Sequence, residues 1–399
     1  MTDLFSTLST AVRQASALRI IMRLQPAMSD GLVYPPTYDK GQHIFRPAWV
    51  NGEKRQAVLL DSVQSQANRI EMAILAAHRR DDLHYPDLQI EIKTELGDER
   101  YSVLELSHRI YDAALRLCKV EETLFPQSAI GKAVYQARAD QASALFIHAP
   151  ITLALGGWDS HSGGGPLVAK LPRLLTSEIV GLDAELVQRG AVKFDPMDIR
   201  KNAATIYEPQ NPNRGFEVDE SRALKEKGKP VLKKSKKSGE QGKPSIVGLG
   251  NVPNFGERGA VITEALQTSL VSCTAVRRLR FEREDGSFDA ARDDAGQTAT
   301  VALGLYGLLA QMEAGYNLRS GCDLLPLAEP QLEIIGRSLE EISRVPVTAA
   351  AARAALQEAL DHAATLGLAW RRDPVTAIAD ERLVMLVERS RRSHDSESD

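Results

Sequence analysis

The sequence has few cysteines, no long hydrophobic run and no familiar nucleotide or metal motif. Its three cysteines are far apart in 399 residues, which excludes a disulfide-rich scaffold and predicts a reduced setting. The longest apolar stretch, residues 299–310, is too short to span a bilayer. No basic segment of the secretory kind surrounds Asp3. We therefore expect a cytoplasmic protein with no membrane partner.

Motifs for cofactors and for common hydrolases are missing as well. No G-x-x-x-x-G-K-[ST] occurs, and a stretch that begins like a dinucleotide fingerprint at Gly248 has Pro253 at the third glycine position. The sequence contains no H-E-x-x-H, no cysteine pair and no G-x-S-x-G. We expect no cofactor, no metal and no catalytic residue.

Short polar side chains are concentrated in "AVLLDSVQSQANRIE", residues 57–71. The apolar start predicts a buried strand, and Asp61 followed by Gln64 is typical of a helix N-cap. The helical period places one stripe toward the core, formed by Val63, Ala67, Ile70 and Ile74. A second stripe is polar and short-armed, and consists of Ser62, Ser65, Gln66 and Arg69; a third has Gln64, Asn68 and Glu71. Such a surface could contact a hydrogen-bonding partner, or it could simply be the polar outside of a capped helix.

Strand patterns alternate with helical ones along the first half of the chain. Residues 18–25 and 177–186 predict strands, and residues 88–106 predict a hairpin that turns at Gly97. Helical spacing follows over 261–279 and again beyond Thr298. These elements predict an α+β fold, with a ferredoxin-like arrangement as one form of it.

A glycine-rich loop, "GGWDSHSGGGP", begins at Gly156. Neighbouring residues of an extended chain point to opposite sides, so Ser160 and His161 form no catalytic relay by themselves. Glycines expose backbone N–H groups to an anion and Trp158 offers a stacking face, so the loop favours ligand recognition. A turn anchored by its tryptophan is the alternative.

Two segments are rich in positive charge. Residues 222–244 carry nine basic and two acidic side chains; with so few apolar residues they predict a mobile segment, either a solvated linker or a polyanion contact. The block "TAVRRLRF" contains Arg277, Arg278 and Arg280. These arginines could equally lie at the C-terminal end of a helix and stabilise it, because the helix macrodipole favours cations there.

These blocks, in their order along the chain, resemble one known family. They are "VLLDSVQSQANRIE", then "LFIHAPITLALGGWDSHSGGG" with "KLPRLLTSEIVGLD", then "GLGNVPN" with "TAVRRLRF", then "LYGLLAQMEAGYNLRSGCDLLP". Together they resemble the CRISPR-associated backbone subunit, of the Cas-seven type, in the type I-G (formerly I-U) Cascade complex. The resemblance runs from about residue 18 to about residue 326, and the block "LLDSVQSQANR" is its most specific part.

The resemblance implies a modified RRM-like, ferredoxin-like palm over residues 1–326 with inserted finger and thumb segments. A flexible Lys-rich insert over about 209–245 is predicted from composition and matches no motif of the family, so its role stays open. A helical C-terminal region, 327–390, and a disordered tail, 391–399, would follow. It implies no catalytic role. Copies would stack head to tail along one CRISPR RNA and present it for pairing with a target DNA strand. Further partners would be a large subunit, a fused Cas-five/Cas-six-type subunit and a helicase-nuclease.

A guide RNA that is presented for base pairing with DNA must be bound through its phosphates and sugars, so that its base edges stay free. Hydroxyls, amides and arginines on a helix suit that task, because they bond phosphate and 2′-OH groups without selecting a sequence. A lone single-strand RNA-binding protein and a hydrolase centred on Ser160 and His161 are the competing hypotheses. The expected RNA-binding residues are Ser62, Gln64, Ser65, Gln66, Asn68, Arg69, Trp158, Ser160, His161, Arg277, Arg278, Arg280 and Arg319.

Overall fold

The computed structural model describes residues 3–95, 97–158, 170–193, 195–200, 203–235, 239–250 and 252–398. Its α-helices are α1 (Leu4–Gln14), α2 (Val63–Arg79), α3 (Ala129–Gln136), α4 (Ser143–His148), α5 (Ile151–Leu155), α6 (Cys273–Val276), α7 (Ala290–Glu313), α8 (Ala349–Thr365) and α9 (Glu381–Ser398). Its strands are β1 (Ala17–Pro26), β2 (Leu32–Val33), β3 (Phe45–Val50), β4 (Glu53–Asp61), β5 (Leu88–Thr94), β6 (Gly97–Ser102), β7 (Cys118–Val120), β8 (Thr123–Leu124), β9 (Gly157–Trp158), β10 (Lys170–Leu171), β11 (Leu175–Leu182), β12 (Glu185–Lys193), β13 (Lys225–Glu226), β14 (Lys229–Pro230), β15 (Val252–Val261), β16 (Glu264–Ser272), β17 (Tyr316–Arg319), β18 (Cys322–Pro326), β19 (Gln331–Ile335), β20 (Ile342–Pro346) and β21 (Val375–Ala379).

The chain divides into two compact units, Met1–Glu185 with Ala260–Val384, and Leu186–Gly259 with Met385–Asp399. The first unit is built on an antiparallel sheet in the order β17-β18-β1-β16-β11-β4-β3, and β19 also pairs with β1 and with β20. A second sheet has the order β6-β5-β21-β7-β8, with β21 parallel to β5. This mixture confirms the predicted α+β class, while the RRM-like arrangement stays a prediction.

Helices α2 and α7 pack against one another in the core of this first unit. Most of α7 is buried, as expected for a helix that is apolar around its circumference. A Cβ atom at Gly307 would lie 2.8 Å from Ile70 and 2.9 Å from Ile74, so only glycine allows α2 to approach this closely. The predicted core stripe of α2 therefore lies where expected, with Val63 half-buried at its start.

The helix expected from 261 onward is wrong, because β16 and the single turn α6 occupy this range. In β16 alternate residues are buried, among them the polar Gln267 and Ser269. Because polar residues occupy buried positions of this strand, the alternation of buried and exposed residues does not appear in the sequence as an alternation of apolar and polar residues.

The Lys-rich segment has more local structure than predicted. In its described part, β13 and β14 form a hairpin whose turn places Lys227 and Gly228 at positive φ. Lys233 Nζ donates to Glu208 Oε2 at 3.1 Å and to the Gly215 carbonyl at 2.7 Å. The described part of this segment therefore has local hydrogen-bonded structure.

The C-terminal part is also more mixed than the predicted helical region and tail. Residues 327–390 contain α8 and the start of α9, but also β19, which pairs with β1, and β21, which pairs with β5. Helix α9 extends to Ser398, into the tail that was expected to lack structure. Across the described residues, the helices are each too short or too polar to cross a membrane.

Candidate nucleic-acid interface

The start of α2 differs from the prediction by one residue. Ser62, not Asp61, is the N-cap, and its hydroxyl accepts from the Ser65 backbone N–H at 3.2 Å. Asp61 instead ends β4 and is fully buried. A buried carboxylate needs partners to offset its lost hydration, and these partners come from the stripe expected to contact RNA.

Gln66 is the clearest correction. Its side chain is fully buried, its Nε2 donates to Asp61 Oδ2 at 2.6 Å, and its Oε1 accepts from Gln267 Nε2 at 2.8 Å and from Ser177 Oγ at 2.9 Å. Both the nitrogen and the oxygen of this amide thus have partners inside the protein. Gln66 ties α2 to β4, β11 and β16 and is not placed to contact RNA.

Arg69 and Arg319 also have partners within the chain. Arg69 Nε donates to Asp61 Oδ2 at 2.9 Å and Nη2 to the Leu318 carbonyl at 2.7 Å. Arg319 Nη1 donates to the Leu60 carbonyl at 2.8 Å, and its Nη2 lies 3.7 Å from Asp61 Oδ1. Arg69 therefore joins α2 to β4 and β17, and Arg319 joins β17 to β4. The helical period alone could not reveal these structural roles.

Two members of the third polar stripe of α2 face a cavity of about 560 Å³, while the third member, Glu71, is buried. Gln64 and Asn68 are exposed there, and Trp158 lies on the same cavity with 61% of its surface accessible. Three of the residues predicted from sequence are thereby brought together from two distant segments. The cavity is also lined by Ser107, His108, Arg109, Leu155, Gly156, Gly157, Leu171, Pro172 and Arg173.

Trp158 is presented by the two-stranded ribbon β9–β10, in which it pairs with Lys170. The base of this ribbon is packed too tightly for a side chain. A Cβ at Gly157 would lie 2.7 Å from the Tyr111 ring and 2.7 Å from Thr152, and Gly156 has φ +79°. Two glycines predicted to bind an anion thus have a packing role that fixes the tryptophan.

A buried ion pair lies behind the cavity. Arg109 binds Glu71 through two bonds, one from Nη2 to Oε2 at 3.1 Å and one from Nε to Oε1, and its Nη1 donates to the Gly156 carbonyl at 3.1 Å. Only 2% of Glu71 is exposed, and this burial raises the pKa of its carboxyl to about 7 although Arg109 opposes the shift. Sequence reasoning assigned neither residue, because they are 38 positions apart.

The arginine block is divided between structural and exposed positions. Arg277 Nη1 donates to the Val12 and Ala15 carbonyls at 2.6 and 2.9 Å, which closes the C-terminus of α1. Arg280 pairs with Asp293, and its guanidinium carbon lies 4.6 Å from the centre of the Phe288 ring. Arg278 is exposed.

Two site predictions are not addressed by this geometry. Ser160 and His161 lie outside the described residues. Among the residues that are described, no group of three His, Cys, Asp or Glu side chains could hold a metal ion. The described cavity therefore offers amide, guanidinium and aromatic groups, which suit binding of a polar, anionic, ring-containing ligand.

The comparison with protein families gives a match. Residues 18–186 match the model of the family described as CRISPR-associated protein GSU0053. The resemblance to a CRISPR-associated family is confirmed. The matched segment includes α2, the β9–β10 ribbon and each residue that lines the cavity.

The other comparisons give a remote structural likeness. The crystal structure of Thermofilum pendens Csc2 is similar over 96% of this chain and 92% of its own length, at 12% identity and a TM-score of 0.30. The curated proteins give no match.

Proposed function

We propose that this protein is a non-catalytic, CRISPR RNA-binding backbone subunit of a type I-G Cascade complex. In this role the chain grips a single-stranded guide, assembles head to tail with further copies in the cytoplasm, and presents the guide to a target DNA strand. The other partners would be the large subunit, the fused Cas-five/Cas-six-type subunit and the helicase-nuclease.

The observation that carries the proposal is the cavity beside α2. It combines the Gln64 and Asn68 amides with the exposed Trp158 indole, and it lies inside the segment that matches a CRISPR-associated family. Amides bond sugars and phosphates of any sequence, and an indole face stacks on any base. A guide-binding subunit needs this kind of sequence-neutral contact, because the guide differs from one complex to the next.

Equilibrium binding of a labelled single-stranded RNA to the purified full chain tests this proposal. Trp158→Ala should weaken binding by about 1–3 kcal/mol, since one base loses its stacking partner. Trp49→Ala is the matched control, because Trp49 lies on β3, is 73% exposed and is not among the residues that line the cavity. Absence of RNA binding by the wild-type chain at low salt would refute the function.

A protein that binds single-stranded RNA alone is the second candidate. The same cavity would serve it, so the contacts do not separate the two. Co-purified RNA does: a guide of defined length supports the Cascade subunit, whereas RNA of mixed lengths supports the lone binder.

A further inference from the structure

Positive charge exceeds negative charge at the cavity beside α2. Arg109 and Arg173 both line it, and no carboxylate is among its lining residues in the described part of the chain. Behind Arg109 lies the buried Glu71, whose carboxylate accepts two bonds from it. Among the described residues, this one carboxylate faces the two guanidiniums that line the cavity, and a net positive charge remains on them in a partly desolvated place.

The surplus charge lies on Arg173. Burial and the nearby Arg109 both lower the pKa of its guanidinium, and Glu71 offsets this shift only in part. It has no ion pair with a carboxylate among the described residues. Toward the described residues, its side chain makes one hydrogen bond, from Nη1 to the Val63 carbonyl at 3.0 Å. A guanidinium has five N–H donors, so the described part of the chain leaves most of these donors for a ligand.

The position of Arg173 is fixed by close packing. A Cβ at Gly156 would lie 3.0 Å from both the Cγ and the backbone nitrogen of Arg173, and the next residue, Leu174, donates its N–H to the Ala154 carbonyl at 2.9 Å. Arg173 also lies two residues after β10, which pairs with the strand that carries Trp158. The cation and the stacking face are therefore positioned by two paired strands of one ribbon.

We propose that Arg173 binds a phosphate of the RNA backbone whose neighbouring base stacks on Trp158. This assignment rests on the proposed RNA-binding function and adds to it a residue that the sequence did not single out. The rigid, planar guanidinium matches the geometry of a phosphate group, which accepts two parallel hydrogen bonds from it.

A purely structural role is the competing explanation, since Arg173 also holds the Val63 carbonyl near the start of α2. The two explanations differ in their dependence on salt. A phosphate contact releases counterions, so its loss lowers the slope of log affinity against log salt by roughly 0.7 for single-stranded RNA. Loss of a structural bond lowers the melting temperature and leaves that slope unchanged.

The experiment titrates a labelled single-stranded RNA into the full chain at several salt concentrations. Arg173→Gln should weaken binding roughly 10- to 100-fold and lower the slope by roughly 0.7. Arg173→Lys should keep the slope and lose less affinity, because lysine preserves the charge without the fork. Arg79→Gln is the matched control: it removes one charge from an exposed surface pair at the far end of α2 and should alter neither quantity.

The outcomes separate the assignment from the function. If Arg173→Gln binds RNA with the wild-type slope, the phosphate assignment is wrong while the RNA-binding function stands. If Arg173→Gln does not fold, Arg173→Lys decides, since an unchanged slope with a modest loss supports the contact and an unchanged affinity contradicts it. A wild-type chain that binds no RNA overturns both.

Discussion

At the scale of single residues, neighbouring positions on α2 have opposite roles. Asn68 is exposed on the cavity, whereas Arg69 reaches back to the buried Asp61 and only 26% of its side chain is accessible. The sequence shows both as polar members of one helix. Only the placement of β4 and β17 determines which of them is free to meet a ligand.

This contrast predicts that Arg69→Ala destabilises the fold. Its removal leaves the Asp61 carboxylate, fully buried, without its main counter-charge, at a cost of about 3 kcal/mol in the free energy of unfolding. Asn68→Ala should change that free energy by less than about 0.5 kcal/mol, yet weaken RNA binding. Denaturant melts and RNA titrations of both variants check this. Equal stability of the two would show that Arg319 alone suffices to balance Asp61.

The raised pKa of the Glu71 carboxyl predicts that RNA binding depends on pH. Because burial raises its pKa to about 7, Glu71 gains a proton as the pH falls through that value, and the cavity becomes more positive. The charged and titratable groups around it are Arg109, Arg173 and Tyr85, and burial keeps the pKa of Tyr85 far above this range. Affinity for RNA should therefore rise roughly fivefold between about pH 8 and about pH 6.

One variant isolates the contribution of Glu71. Glu71→Gln removes the titratable carboxyl, so its affinity for RNA should vary less over this pH range than the affinity of the wild-type chain. An equal variation in Glu71→Gln and in the wild type would show that another group causes the dependence.

At the scale of elements, the sequence predicts strands and helices correctly where the buried residues are the apolar ones. The strand at residues 18–25 and the hairpin β5–β6 are present near their predicted bounds, because their apolar residues recur with the expected period. The sequence patterns did not predict β16, because its buried face includes the polar residues Gln267 and Ser269. That network exists only once α2 and β11 are in place, so no local window could contain its signal.

The candidate site shows the same limit. The exposed stripe of α2 and the tryptophan were identifiable from local sequence, because each has short polar or aromatic groups in an unusual setting. Which stripe faces outward depended on long-range partners of Asp61, and the Glu71–Arg109 pair depended on a contact across 38 positions. Local periodicity gives the faces of a helix, while their assignment to core or ligand requires the tertiary structure.

At the scale of the whole molecule, a backbone subunit differs from a lone RNA-binding protein in how it assembles. Several copies on one strand require a head-to-tail contact, because a two-fold interface closes on itself and cannot follow a strand. Exposed leucines suited to protein contact occur in the first unit at Leu325, Leu327 and Leu339.

We therefore predict that longer RNAs recruit more copies, with binding that is cooperative along the strand. Each added copy gains both its own RNA contacts and a contact with its neighbour, so partly filled strands should be scarce. Mass measurements on complexes with RNAs of increasing length would check this, and a fixed stoichiometry of one or two copies at every length would contradict it. In that case the cavity with Trp158 and Arg173 would still bind RNA, and the protein would be a stand-alone single-strand binder.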